Sequence, residues 1–396
     1  MVEAPLTTLD EFDCDGRTVL VRADLNVPVE AGSVTDDFRL RSTLPTLEAL
    51  RARDALVVLC SHLGRPSGPD PAFSMAPVGA RLAEIGGFEV RATHDVGGEH
   101  SRKVIADAGD AVVLLENTRF EPGETSNSPE LADRLAQLAD RFVLDAFGSA
   151  HRSHASTVGV AQRLPSAIGL LVAAELEAYA RLLEDPARPF VVVLGGAKVS
   201  DKLGVIRALL PKVDVMLVGG AMCFTLLAAE GFEVGDSLVE PEMVGEVREV
   251  LASEHGARIS LPVDVVVAER FASDAPHRTA PTTDLPEEGM GLDIGPETAA
   301  VYESILGGAD TVFWNGPMGV AEWEAFAVGT RAIAAALTAS AAYSVVGGGD
   351  TVAALRRLGL DEDVDHLSTG GGAGLELIEK GKLAAVEAVR RSPNGA

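Results

Sequence analysis

Short apolar, β-rich runs punctuate the chain. In the first half they occupy residues 18–22, 55–60, 111–115 and 141–144. In the second half they occupy 190–194, 214–218, 263–268, 311–314, 343–346 and 366–368. Amphipathic stretches of helix length lie between many of them, at 42–53, 128–139, 200–210 and 241–254. Strands alternating with helices predict an α/β fold, with mostly parallel sheets covered by helices on both faces. Ligands of such sheets gather at the carboxyl ends of the strands.

The chain divides after Arg163-Leu164-Pro165. Residues 166–184 read as one long helix, since Ile168, Leu171, Val172 and Leu176 recur at helical spacing. Asp185-Pro186-Ala187-Arg188-Pro189 breaks it. At 396 residues two domains are the default. We expect two lobes of similar size, 1–165 and 186–375, joined by a helix and hinge at 166–185. A last helix is expected at 376–390, before a flexible SPNGA end. Residues 332–349 carry no charge and approach the length of a membrane span, about 20 residues. Their alanine, serine, threonine and glycine content reads instead as a helix followed by a strand.

The strand ends differ between the halves. In the first half they carry arginine or histidine: VRADLNVP (21–28), SHLGRP (61–66), ENTRF (116–120) and DAFGSAHRSH (145–154). In the second they carry glycine: LGGAKVSDK (194–202), VGGAM (218–222), WNGPMG (314–319), GGGDT (347–351) and STGGGAG (368–374). Side-chain cations suit a small, highly anionic ligand. Glycine loops let backbone N–H groups close around nucleotide phosphates. Two halves built this way imply two phosphate-bearing ligands meeting across a cleft.

Charge sharpens the contrast. The chain has 59 acidic against 33 basic residues, a net charge of −26, and only six of the bases are lysine. That excludes nucleic acid as a partner, because the phosphate backbone would be repelled. We read the acidity as a surface adapted to concentrated salt, where screening shortens repulsion to roughly 3 Å at 1 M. The three cysteines, Cys14, Cys60 and Cys223, have no metal-ligand spacing and fit a reducing cytoplasm. The start, MVEAPLTTLDEFD, lacks a basic-then-apolar signal pattern.

In the second half, Gly195-Gly196-Ala197 turns the chain after a strand, and Val199 is expected to open a helix. Lys198 and Lys202, four apart, would then share one side of its first turn. The helix dipole disfavours cations there, so a bound polyanion supplies the reason for two of six lysines. Gly347, Gly348 and Gly349 form a second candidate phosphate loop. Asp350 beyond them could face a magnesium ion held by phosphates. Asn315 in WNGP lies at the same sheet edge, and Glu322 could bind ribose hydroxyls. No Walker A sequence and no G-x-G-x-x-G fingerprint is present, which excludes P-loop and Rossmann dinucleotide binding. No serine sits in a G-x-S-x-G elbow, and no His/Cys cluster has zinc spacing.

In the first half, Arg22, Arg39, His62, Arg65, Arg119, His151, Arg152 and His154 fall at or near strand ends of one expected sheet. Arginine binds phosphate or carboxylate bidentately and stays charged. Asp24 and Asn26 follow the first strand and could recognise a hydroxyl.

These motifs, in this order and with GLDIGP (291–296), resemble phosphoglycerate kinases from Val21 to Gly374. The resemblance implies an N-terminal lobe that binds 3-phosphoglycerate or 1,3-bisphosphoglycerate through Asp24, Asn26, Arg39, His62, Arg65, Arg119 and Arg152. It implies a C-terminal lobe that binds MgATP or MgADP. The residues for that are Gly196, Ala197, Lys198, Lys202, Gly219, Gly220, Asn315, Pro317, Glu322, Gly347, Gly348, Gly349, Asp350 and Thr351, with Asp350 attending Mg2+. The tail over 376–396 would pack back on the N-terminal lobe. The activity implied is a phosphotransferase of glycolysis and gluconeogenesis: direct, reversible transfer between 1,3-bisphosphoglycerate and ADP, without a covalent enzyme intermediate. Arg39 and Lys198 would stabilise the migrating phosphoryl from opposite lobes, and Lys202 with Mg2+ would neutralise the nucleotide phosphates. Hinge closure about residues 166–184 would expel water. A cytoplasmic monomer without membrane partners is expected. Two positions depart from the family pattern. Leu144 stands where the family usually has Asn, and Ala321 where it has an aromatic residue.

Overall fold

The computed structural model describes residues 5–393. The chain divides into two units, Met1–Glu177 with Lys380–Ala396, and Ala178–Glu379.

The first unit is built on a six-stranded parallel sheet. Its strand order is Val90–Ala92, Val112–Leu114, Leu56–Cys60, Thr18–Ala23, Arg141–Asp145, Ser166–Ile168. Thr18–Ala23 is central, and every residue after Thr18 is buried. That follows from its aliphatic run Val19–Val21, which suits a strand covered on both faces. Side chains alternate, so Val19 and Val21 pack with Leu40, Leu47, Val78 and Leu82 from the helices Phe38–Arg51 and Ala76–Gly86. Arg22, one residue on, must enter the opposite layer and is fully buried.

The second unit has a six-stranded parallel sheet in the order Ile259–Ser260, Val215–Val218, Phe190–Leu194, Thr311–Asn315, Tyr343–Gly347, His366–Leu367. Both central strands are wholly buried. A three-stranded antiparallel sheet, His277–Pro281, Asp264–Ala268 and Met290–Ile294, accompanies it. Among the described residues no helix is long and apolar enough to cross a membrane. The uncharged stretch at 332–349 is the end of helix Val328–Ala339 followed by strand Tyr343–Gly347.

Three expected elements differ. The helix anticipated over 166–184 starts later. Ser166–Ile168 is a strand that pairs with Phe142–Leu144, and the helix is Leu170–Leu183. Sheet pairing satisfies that backbone, and the helix start is set by Asp145, whose Oδ1 accepts the Leu171 N–H at 3.0 Å. The division between units falls inside this helix, after Glu177. The last helix, anticipated at 376–390, is two: Gly371–Lys380 in the second unit and Ala384–Arg390 in the first. Gly381 separates them in a left-handed conformation, φ +70°. Ala385 N–H donates to Ala150 O at 2.9 Å, which ties the final helix to the first unit. The expected flexible end lies outside the described residues from 394 onward. The helix expected from Val199 begins at Leu203, and residues 199–202 form a turn. Lys198 and Lys202 therefore do not share a helical face. Lys198 is exposed in the loop, and Lys202 is the buried N-cap residue.

Candidate functional site

Parallel pairing puts the carboxyl ends of neighbouring strands on one edge. In the first unit Arg22 pairs with both Cys60 and Leu144, so Asp24, His62 and the loop after Asp145 emerge together. Asp24 is buried, and Arg39 Nη1 donates to both of its carboxylate oxygens at 3.1 Å and to Asn26 O at 3.3 Å. Asn26 Oδ1 accepts the Gly64 N–H at 2.8 Å, and Gly64 O accepts from Arg119 Nη1 at 2.5 Å. Gly64 is at φ +62°, and a Cβ there would lie 2.3 Å from the Phe73 ring. The turn is therefore reserved for glycine.

Asn117 anchors this seam, a role the sequence reading did not assign. Its Oδ1 accepts from Leu63 N at 3.2 Å and Arg119 N at 3.1 Å, and its Nδ2 donates to Leu63 O and Phe73 O. Its place before Arg119 in ENTRF was the available signal. A cavity of about 660 Å³ opens here, lined in part by Arg65, Arg119, Arg152 and His154.

The cations in this cluster are strained by one another. Burial lowers the Arg119 pKa, reinforced by Arg152, Arg22 and Arg65; burial, then chiefly Arg65, does the same to Arg152. Burial and the surrounding arginines hold His62 well below its ordinary value, so it is neutral. His154 is pushed down by burial and by Arg22, Arg152 and Arg119, although Glu124 opposes this. Arg152 Nε donates to His151 Nε2 at 3.2 Å, and Arg119 Nε has no hydrogen-bond partner among the described residues. A polyanion bound here would relieve the mutual repulsion and supply the missing acceptors.

In the second unit the glycine turns do something different from what was expected. Gly195 N donates to Asn315 O, Gly196 N to Pro317 O, Gly219 N to Leu194 O and Gly220 N to Met318 O, all at 2.9–3.0 Å. These amides are used in stitching strand ends together, so they are not a phosphate cradle. The glycines permit contact. A Cβ on Gly220, at φ +62°, would lie 2.5 Å from Gly196 N. Helices Gly349–Leu358 and Gly371–Lys380 each open on glycine, and their first-turn amides have no intrahelical acceptor. The two starts abut, since a Cβ on Gly371 would lie 2.6 Å from Gly348 Cα.

Lys202 sits beside them, only 8 % exposed, and donates to Asn315 Oδ1 at 2.5 Å. Burial brings its pKa down to about 8, against the opposing pull of Asp201 and Asp350. Asn315 Nδ2 has no partner among the described residues. Thr351 is buried, and its hydroxyl accepts the Gly316 N–H at 2.7 Å, which fixes the turn after Asn315. Gly347 closes its strand at Asn315's level.

A second cavity, of about 480 Å³, is lined by Gly196, Ala197, Gly220, Pro317, Glu322 and Asp350 together with Leu238, Phe271, Met290 and Leu292. The last four come from three separate segments, which gives them no contiguous signal along the chain. The exposed apolar side chains Leu238 and Phe271 are their mark in the structure. Phe271 packs against Trp323 with ring centroids 4.5 Å apart and the planes tilted by 48°. A flat, partly apolar group fits such walls, with the exposed Glu322 as a hydroxyl acceptor. No group of three metal-ligating side chains occurs among the described residues. Asp350 is a single exposed carboxylate beside the helix start. It fits Mg2+ held chiefly by ligand phosphates, which needs one or two protein carboxylates.

The departures from the family pattern leave these features in place. Leu144 is fully buried sheet core, and Ala321 O accepts from Arg357 Nη2 at 3.2 Å.

The sequence pattern of the family described as phosphoglycerate kinase matches residues 9–382. The phosphoglycerate kinase of Salinispora tropica is 54 % identical over 396 residues, covering 97 % of this chain and 99 % of that one. That of Thermus thermophilus is 53 % identical over 386 residues, covering 96 % and 99 %. Among solved structures, the phosphoglycerate kinase of Coxiella burnetii superimposes with a TM-score of 0.85 at 39 % identity, covering 97 % of this chain and 99 % of that one. The enzyme of Pyrococcus horikoshii gives 0.85 at 31 % identity, with 97 % and 98 % covered.

Proposed function

This chain belongs to the phosphoglycerate kinase family, and from that premise we propose a division of labour for its residues in the reversible transfer of a phosphoryl group between 1,3-bisphosphoglycerate and ADP. The observation that carries it is a pair of charge deficits. The first unit concentrates arginines whose pKa values are depressed first by burial and then by one another. The second buries Lys202 against a neutral amide.

Arg65, Arg119 and Arg152 bind the phosphate that is not transferred, and Asp24, Asn26 and His62 recognise the remaining oxygens of the glycerate. Asp24 holds Arg39 through Nη1, so the guanidinium is preset rather than recruited. Arg39 and Lys198 stabilise the charge spread over the migrating phosphoryl, and Lys202 neutralises the nucleotide phosphates. The base lies against Leu238, Phe271 and Leu292, and Glu322 accepts from the ribose. Asp350 would help to hold Mg2+, which would supply Lewis-acid neutralisation of the nucleotide phosphates. Neither unit holds both sets of residues, so turnover needs the lobes to close and exclude water.

We place the enzyme in the cytoplasm as a monomer, and read its net charge of −26 as an adaptation to salt. A coupled assay with ATP and 3-phosphoglycerate, run from dilute buffer to multimolar KCl, tests the activity and the salt reading. No turnover at any salt overturns the activity. Full activity and structure after dialysis into dilute buffer overturn the salt reading alone.

A further inference from the structure

Arg22 is a fully buried guanidinium at the end of the central strand, and its contacts form a directed chain. Its Nη2 lies 3.0 Å from His62 Nδ1, and its Nε donates to Ser156 Oγ at 2.9 Å. Its Nη1 donates to Ala23 O. Ser156 Oγ in turn donates to Glu124 Oε1 at 2.6 Å, and Ser156 N to Glu124 Oε2 at 3.1 Å. Glu124 and Ser156 are also fully buried.

The direction of every link follows from chemistry. A guanidinium only donates, so His62 Nδ1 must accept, and the proton of a neutral imidazole must then be on Nε2. The serine oxygen accepts from Arg22, which leaves its own proton for the carboxylate. Glu124 is the counter-charge that a buried arginine requires, reached through one hydroxyl rather than directly.

We propose that Glu124 and Ser156 are positioning residues that hold Arg22 so that it fixes His62 as an Nε2–H donor to a substrate oxygen. The alternative tautomer would present a lone pair to phosphate, carboxylate or hydroxyl oxygen and repel it. A direct Arg22–Glu124 pair would satisfy both charges but release His62. The interposed serine keeps the guanidinium within reach of the imidazole. The inference rests on reading this cluster as the 3-phosphoglycerate site.

The test is long-range 1H–15N NMR of the full chain with labelled histidine, alongside kinetics. In the unaltered protein His62 is expected as the Nε2–H tautomer. In Ser156→Ala, a mixture of tautomers is expected, with KM for 3-phosphoglycerate raised about tenfold and KM for ATP unchanged. The near-isosteric Glu124→Gln should move both readouts in the same direction. It also serves as the second variant should Ser156→Ala not fold. An Nδ1–H or doubly protonated His62 in the unaltered protein overturns the proposal. So do unchanged readouts in folded variants, or equal KM changes for both substrates. Failure of the functional reading looks different: the unaltered enzyme would not turn over, while the tautomer remains readable.

Discussion

Lys202 Nζ donates to Asn315 Oδ1 at 2.5 Å in a nearly closed environment, so this buried cation rests on a neutral amide. The arrangement costs the fold and benefits the ligand. The folded pKa is about 8, below the ordinary 10.5. Between those values the unfolded chain binds more protons, so this group makes stability rise with pH across that window. Replacing Lys202 with Met should stabilise the free protein at pH 7 by roughly 1–3 kcal/mol, read by thermal melting. The same change should weaken ATP binding at least about tenfold. Unaltered ATP affinity would remove Lys202 from the site.

ATP affinity should also depend on pH. The free enzyme loses the Lys202 proton above about pH 8, and a polyanion favours the charged form. Binding should therefore take up a proton near pH 8 and weaken as pH rises further. Calorimetry in buffers of different ionisation enthalpy measures the uptake, which should vanish in Lys202→Met.

Arg39→Ala and Lys198→Ala should each lower kcat more than about 100-fold, near 2.7 kcal/mol, with modest change in nucleotide KM. Steady-state kinetics in both reaction directions reads this out. Unchanged turnover in either variant refutes the role given to that residue.

Arg152→Ala should raise KM for 3-phosphoglycerate and leave that for ATP alone. Burial and then the neighbouring arginines, Arg65 foremost, depress the Arg152 pKa, so its removal should also ease the repulsion among those that remain. An equal rise for both substrates would contradict the division of labour between the units.

Asp145 is fully buried and caps the helix Leu170–Leu183 through Leu171 N. Burial lifts its pKa from 3.8 to about 7. The folded state thus binds more protons than the unfolded state across that interval, and this group makes stability fall as pH rises through it. Asp145→Asn keeps an acceptor for Leu171 N and cannot ionise. Its melting temperature relative to the unaltered protein should therefore climb between about pH 4 and pH 7 and level off above that. A flat difference would show that Asp145 titrates normally.

Much of the site could be read directly from the residues. Arginines at strand ends in one half and glycines in the other are contiguous patterns, and parallel α/β architecture carries strand ends to one edge whatever the tertiary detail. Element boundaries were less legible. Ile168 fits helical spacing and also fits the strand Ser166–Ile168, and only the free edge of Arg141–Asp145 decides between them. Gly381 lies within a sequence that reads as one helix, and its left-handed conformation breaks it in two. Leu238, Phe271 and the strand pair Met290 and Leu292 are brought together from three distant segments, so their pocket was invisible along the chain.

By itself the sequence determined the family, the alternation of strands and helices, and which residue types stand at each strand end, because those properties reside in neighbouring residues. Tertiary structure decided what each of them faces. It made the glycine amides of the first turns ties between strands and set two glycine-led helix starts side by side. It also buried Lys202 and Arg22 among distant partners. Solvation and partnership depend on segments far apart in the chain, so charge in a sequence becomes electrostatics only once the fold has excluded water.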